Sequence, residues 1–232
     1  MKLSRSKIQL FLDCPRCFYF DRKLGVARPP SLPFNLNLAV DQLLKNEFNI
    51  YRRERRPHPL MERDHIDAIP FSHPELDVWR ENFQGIQVLH EETNLLITGA
   101  VDDIWERPDG TLIVVDYKAT SKREPITKTS QLHPAYQRQM EVYQWLLRKK
   151  GFKVDTKSYF VYCNGVQNKE QFNRHLEFEV AVVPYEAKCD WIESTLFDIF
   201  ETINSPTLPS SSEECHYCKY VRAVQAHSPL QA

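Results

Sequence analysis

The chain has 232 residues, 42% hydrophobic and 26% charged, enough to bury a sizeable core as one large domain or two small ones. A formal net charge of −1 excludes a global pull towards nucleic acid or anionic membrane, so any polyanion site must be a local patch. No apolar run approaches the roughly 20 residues of a membrane span, and Met1–Lys7 leads into an amphipathic segment rather than an apolar signal region, so the chain reads as cytoplasmic.

Ser4 is an N-cap candidate for a short helix with Ile8, Phe11 and Leu12 on one face, ended by Cys14-Pro-Arg-Cys17. A Pro-rich break (Arg28-Pro-Pro, Pro33) precedes a second helix over 36–52 with Val40, Leu43, Leu44 and Phe48 inward. Residues 53–75, charged and proline-rich, read as irregular or as a flap. The pattern then turns to strands at 85–91, 95–105 and 112–119, a meander closed by the turn Pro108-Asp109-Gly110. A helix over 134–150 ends at Gly151. Strands at 157–163 and 174–183, a last helix over 185–203 and a Ser/Pro loop at 205–212 complete the chain. This order predicts an α/β fold, a mixed sheet flanked by helices, as one domain over 1–232.

Two cysteine pairs stand at opposite ends, Cys14-x-x-Cys17 and Cys215-x-x-Cys218. The two-residue gap aims both sulfurs of a pair at one point, and in a reducing compartment such pairs are metal ligands rather than disulfides. Together they predict a four-sulfur site for Zn²⁺ or an iron–sulfur cluster. Residues 1–30 and 205–222 would form its lobe and tie the two ends together. Cys163, inside an apolar run, reads as a small buried hydrophobe.

Between the pairs lies a carboxylate–lysine constellation. Strand alternation puts Asp116 and Lys118 on one side of their strand. If the loop is the three residues 108–110, Arg107 pairs with Thr111 and Asp102 falls opposite Asp116. Cross-strand Cβ atoms about 4.5–5.5 Å apart allow two carboxylates to share a divalent cation. A two- or four-residue loop would put them on opposite faces. Such a trio suits phosphodiester hydrolysis, with Mg²⁺ or Mn²⁺ on the carboxylates and the lysine orienting water or offsetting charge on phosphorus. The plain alternative is an ion pair at a strand end. Charged groups at the mouth of the strand Leu112-Ile-Val-Val argue for more than that. Asp103 should point to the other face.

Ser4-x-Ser6-Lys-Ile8-x-x-Phe11-x-x-Cys14-Pro15-Arg16-x-Phe18-Tyr19, Gly99-x-x-Asp102, Val114-Val115-Asp116-Tyr117-Lys118 and Gln139-x-x-x-Tyr143 occur in this order. In these motifs the chain resembles the PD-(D/E)xK nuclease superfamily, and within it the RecB-like branch of CRISPR-associated adaptation exonucleases and the AddB nuclease domain. The resemblance implies a restriction-endonuclease-like fold. It implies Asp102, Asp116 and the Tyr117 carbonyl as metal ligands, Lys118 as catalytic lysine, and Gln139 and Tyr143 beside the site. Tyr136 extends that stripe, or packs in the core. Where many members carry a metal-binding histidine, this chain has Asp41, either a further ligand or a residue of the helix's solvent face. The branch's [4Fe–4S] cluster uses one N-terminal and three C-terminal cysteines. Here the last of these positions is Val224 and Cys17 replaces it, so the resemblance implies [4Fe–4S] with Zn²⁺ as the alternative.

Arg52-Arg53-Glu54-Arg55-Arg56 and Lys122, Arg123 and Lys128 are the local basic clusters, the latter group on a loop just after Lys118. The resulting reading is an Mg²⁺/Mn²⁺-dependent deoxyribonuclease, an exonuclease acting on single strands or duplex ends in repair, recombination or defence. A helicase or a recombination or defence protein is the expected partner. The alternative is a non-catalytic nuclease-fold protein that binds nucleic acid or serves as a scaffold.

Overall fold

The computed structural model describes residues 1–30 and 34–227. The elements in order are β1 (Lys2–Ser4), α1 (Arg5–Asp13), α2 (Pro15–Arg22), α3 (Asn35–Glu54), α4 (Pro59–Arg63), β2 (Ile69–Pro70), α5 (Leu76–Arg80), β3 (Ile86–His90), β4 (Leu95–Gly99), β5 (Asp103–Glu106), β6 (Leu112–Thr120), α6 (Pro134–Lys149), β7 (Lys157–Gly165), β8 (Phe178–Glu186), α7 (Trp191–Asn204) and α8 (His216–His227). They divide into two compact units. One comprises the described residues of Met1–Leu32, Leu89–Ile97 and Asp190–Ala232, the other those of Pro33–Val88 and Thr98–Cys189. Pro33, read as part of the proline-rich break, lies outside the described residues.

The larger unit is built on a five-stranded mixed sheet in the order β2-β5-β6-β7-β8. Only the β6–β7 pair is parallel, and α6 supplies the connection that a parallel pair requires. Alternation along β6 gives its two faces different work. Ile113, Val115 and Tyr117 pack with Val40, Leu44 and Phe48 of α3. Asp116 faces α6, where Gln139 reaches it. Helix layers on the sheet confirm the expected α/β class.

The turn is the three-residue loop that the register argument required. Arg107 N donates to Thr111 O at 2.9 Å, Gly110 has φ +78°, and Asp109 Oδ1 accepts from Thr111 N at 3.0 Å. The ladder then runs Glu106 with Leu112 through Asp103 with Val115, and Asp102 follows opposite Asp116.

The strand expected over 95–105 is broken after Gly99. β4 belongs to a hairpin with β3, whereas β5 joins the five-stranded sheet. Between them Val101 N donates to Trp79 O at 3.1 Å, a bond that pulls the chain off the first ladder. Both glycines here are sterically obligatory. A Cβ on Gly85 (φ +65°) would lie 2.5 Å from Gly99 O, and one on Gly99 would lie 2.8 Å from the Tyr143 ring. Gly99→Ala is therefore expected to destabilise by about 1–3 kcal/mol. A urea melt checks this, and an unchanged midpoint would show that the Tyr143 ring yields freely.

Other expectations are corrected. Leu43 is 66% exposed, because only the i, i+4, i+8 stripe Val40, Leu44, Phe48 meets the sheet. Residues 53–75 hold α4 and β2, and Met61, Ile66 and Ala68 are core rather than flap. Arg52 is no member of a surface cluster but buried. Residues 184–186 continue β8, so the last long helix begins at Trp191 instead of Tyr185. In the smaller unit, Cys14 does not simply end a helix. It stands extended between α1 and α2, with Pro15 at the first position of α2, where a missing N–H costs nothing. Helix α8, which starts between the cysteines of the second pair and contains Cys218, was not anticipated.

Candidate nuclease site

Asp116 is fully buried near the middle of β6. Its Oδ1 accepts from Gln139 Nε2 at 2.7 Å, and Oδ2 forms an ion pair with the Lys118 ammonium but receives no well-directed hydrogen bond. The carboxyl is pushed up to about 7, first by burial and then by the negative charge of Asp102, with Lys118 pulling the other way. Asp102, one residue ahead of β5, accepts from Tyr117 N through Oδ2 at 2.9 Å. Two carboxylates thus converge from neighbouring strands, one held by a backbone N–H and the other by Gln139 and the Lys118 ammonium.

Lys118 is held on three sides. Besides Asp116, its Nζ donates to Gln139 Oε1 at 3.5 Å and lies 4.6 Å from the centre of the Tyr136 ring. Burial works against the ammonium, but the Asp116 and Asp102 carboxylates outweigh it and raise its pKa. Gln139 Nε2 also donates to Tyr143 Oη at 2.9 Å, so the orientation of this amide is set on both sides. Tyr136 contacts the lysine and is partly exposed, so it is not core.

On α3, Asp41 lies at the same place. Its carboxyl is raised by burial and then by Asp102, while Lys45 acts in the opposite direction. Lys45 was missed in the sequence. Its Nζ lies 2.8 Å from Asp41 Oδ2 and 3.8 Å from Asp102 Oδ1, bridging the two acids. The signal was available, since Lys45 follows Asp41 by four residues on the same helix face.

Asp103 points the other way, as alternation requires, into a buried network. Its Oδ1 pairs with Arg52 and, at 2.8 Å, with Arg80, and Oδ2 accepts from Tyr117 Oη at 2.6 Å. Burial and then Asp103 drive the Tyr117 hydroxyl well above its usual pKa. Of the loop cations, Lys128 is engaged by Asp64 at 2.8 Å. The side chain of Asn164 clamps the Lys122 backbone (2.7 and 3.1 Å), leaving the Lys122 and Arg123 side chains exposed.

In the smaller unit the four cysteines come together. Cys14 Sγ lies 3.8 Å from Cys218 Sγ, and Cys17 Sγ lies 3.5 Å from Cys215 and 3.6 Å from Cys218. All four sulfurs fall within 4.8 Å of one another, and none is in a disulfide. Burial opposes ionisation of Cys14, but backbone hydrogen bonds from Cys17 and Ser212 outweigh it and bring the thiol down to about 6. This is a donor set for a metal ion.

A mixed sheet that carries an acid and a lysine on a central strand, with a second acid from the neighbouring strand's start and a glutamine from the following helix, defines a nuclease type of α/β protein. The chain belongs to the PD-(D/E)XK nuclease superfamily, whose family model matches residues 36–223. No curated protein matches it. Among solved structures, "Crystal structure of SSO0001" matches at 16% identity and a TM-score of 0.46, covering 97% of this chain and 86% of that one. Among the described residues no helix is long and apolar enough to cross a membrane.

Proposed function

We propose that this chain is a divalent-metal-dependent deoxyribonuclease of the RecB-like branch, an exonuclease working on single strands or duplex ends in repair, recombination or defence. The observation that carries this reading is the buried Asp116 carboxyl, whose Oδ2 meets only the Lys118 ammonium, without a well-directed hydrogen bond, and whose charge is raised in energy first by burial and then by Asp102. A structural acid would be fully hydrogen-bonded, as Asp103 is; an acid short of donors suits a cation. Asp102, Asp116 and the Tyr117 carbonyl would hold Mg²⁺ or Mn²⁺, with Asp41 as a further candidate. Bound there, the ion supplies Lewis-acid polarisation of a phosphoryl oxygen and an acidified water.

The chain's own residues do the rest. Gln139 fixes the Asp116 carboxylate and, through Oε1, the direction of the Lys118 ammonium. Lys118, kept charged by the two acids, can orient a water or neutralise charge growing on phosphorus. Lys122 and Arg123, exposed on the loop beyond β6, are placed to meet phosphates. A cytoplasmic setting and a helicase, recombination or defence partner complete the proposal.

The test is an assay on end-labelled single- and double-stranded DNA with Mg²⁺ or Mn²⁺. Wild-type protein is expected to cleave, and Lys118→Ala to lose about 10²–10³ in rate with an unchanged circular dichroism spectrum. Equal rates in the two proteins would overturn the catalytic reading in favour of a binding or scaffold role.

A further inference from the structure

We infer that the four cysteines are built around a single tetrahedrally coordinated ion, zinc, and not around an iron–sulfur cluster. The two pairs have the same local design. Cys14 and Cys215 each stand immediately before a helix, with Cys17 and Cys218 in the first turns of α2 and α8. Phe18 N donates to Cys14 O at 3.0 Å and Lys219 N to Cys215 O at 2.9 Å. Each pair is therefore a rigid two-sulfur jaw, and the distance between the jaws is a property of the fold.

That distance decides nuclearity. Bonds of about 2.3 Å from zinc to sulfur define a tetrahedron with edges of about 3.8 Å. The sulfur separations of 3.8, 3.5 and 3.6 Å match those edges. In a four-iron cluster each thiolate binds its own iron at a separate corner, and sulfurs on different irons stand roughly 6 Å apart. A two-iron cluster also places sulfurs of the two irons well apart. No pair here exceeds 4.8 Å, so neither cluster fits without prising the jaws open. Among single ions, zinc outcompetes ferrous iron at soft thiolate sites and demands no redox partner.

Two further features suit a resident ion. Four thiolates around a dication leave a net charge of −2, and Arg28 sits against it. Its Nη2 donates to Cys215 Sγ at 3.4 Å, while its guanidinium lies 4.6 Å from the centre of the Tyr217 ring. Helix α8, in turn, buries none of its residues. Its first turn is tied down through sulfur, so the ion is the principal anchor of this helix.

The full chain, purified anaerobically, is expected to carry about one zinc, no acid-labile sulfide and no visible absorption band. Cys17→Ser and Cys218→Ser should lose the metal. Arg28→Ala should retain one zinc but release it to a chelator several-fold faster. Two or four irons with matching sulfide would overturn the inference, as would a single iron without sulfide. A folded chain that binds no zinc when titrated, and melts at the same temperature with and without it, would overturn it too. None of these readouts depends on DNA cleavage, so they stand or fall separately from the nuclease assignment.

Discussion

Asp116→Asn is expected to cut DNA hydrolysis by about 10³-fold while sparing the metal-free protein the loss of stability that wild type suffers as pH rises from 4 to 7. Both effects come from one buried oxygen pair. Asparagine keeps the volume, but its single carbonyl oxygen can accept from Gln139 or from Lys118 and not from both, and it offers a cation only a neutral oxygen. The stability effect follows from linkage. The carboxyl titrates near 7 in the folded chain and near 3.8 when exposed. Below pH 4 both states hold the proton and the buried acid costs nothing extra. Between pH 4 and 7 the unfolded chain releases the proton and the folded chain keeps it, so stability falls as pH rises. The loss is complete above 7 and amounts to about 2–4 kcal/mol. Asparagine has no proton to lose and is exempt. Urea melts in chelator at pH 5 and pH 8 should show a larger drop for wild type than for Asp116→Asn. Mg²⁺ should restore wild type at pH 8 and leave the variant unmoved. Parallel pH dependences for the two proteins would refute the account.

Asp103→Ala is expected to destabilise the chain by about 3–5 kcal/mol, whereas Asp102→Ala next to it should lose activity and remain folded. Asp103 is the shared counter-ion of Arg52 and Arg80, both inside the protein, and it also takes the Tyr117 hydroxyl. Asn49 Oδ1 serves both guanidiniums as well, and Arg52 Nε donates to Phe71 O at 2.6 Å. Removing the carboxylate strands two buried cations side by side, and neither can shed its proton. Asp102 is partly exposed, and Lys45 beside it can turn to water or to Asp41. Denaturant melts of the two variants should differ sharply. Similar midpoints would mean that the Asp103 network relaxes to solvent.

These two aspartates mark how far the sequence can be read. The facing of Asp102 and Asp116, and the position of Lys118 on the same side, follow from local rules. A side-chain period of two and a Pro-Asp-Gly loop of three residues leave one register. The pairing of Cys14 and Cys17 with Cys215 and Cys218 was likewise legible, since spacing alone aims each pair. The helices α3 and α6 were readable to within two residues because each carries one sustained apolar stripe. Short elements were not: α2, α4, β2 and α8 are too brief or too weakly patterned to stand apart from loops.

What the sequence by itself determined is the chemistry available: two acids and a lysine on one sheet face, four thiols in two jaws, and the order of the longer strands and helices around them. Tertiary structure alone decided how that chemistry is tuned. The break of the 95–105 strand depends on Gly85 and Gly99 meeting other backbone and Tyr143 side-chain atoms far along the chain. Arg52 looked like a surface charge until α3 packed on β5 and buried it against Asp103. The raised Asp116 carboxyl needs burial under α6 together with Asp102. The gap between the two cysteine jaws, which separates one ion from a cluster, is set by helices α2 and α8 nearly two hundred residues apart. Spacing along a chain fixes which atoms are near in sequence. Dielectric, counter-ion and distance belong to atoms brought together only by packing.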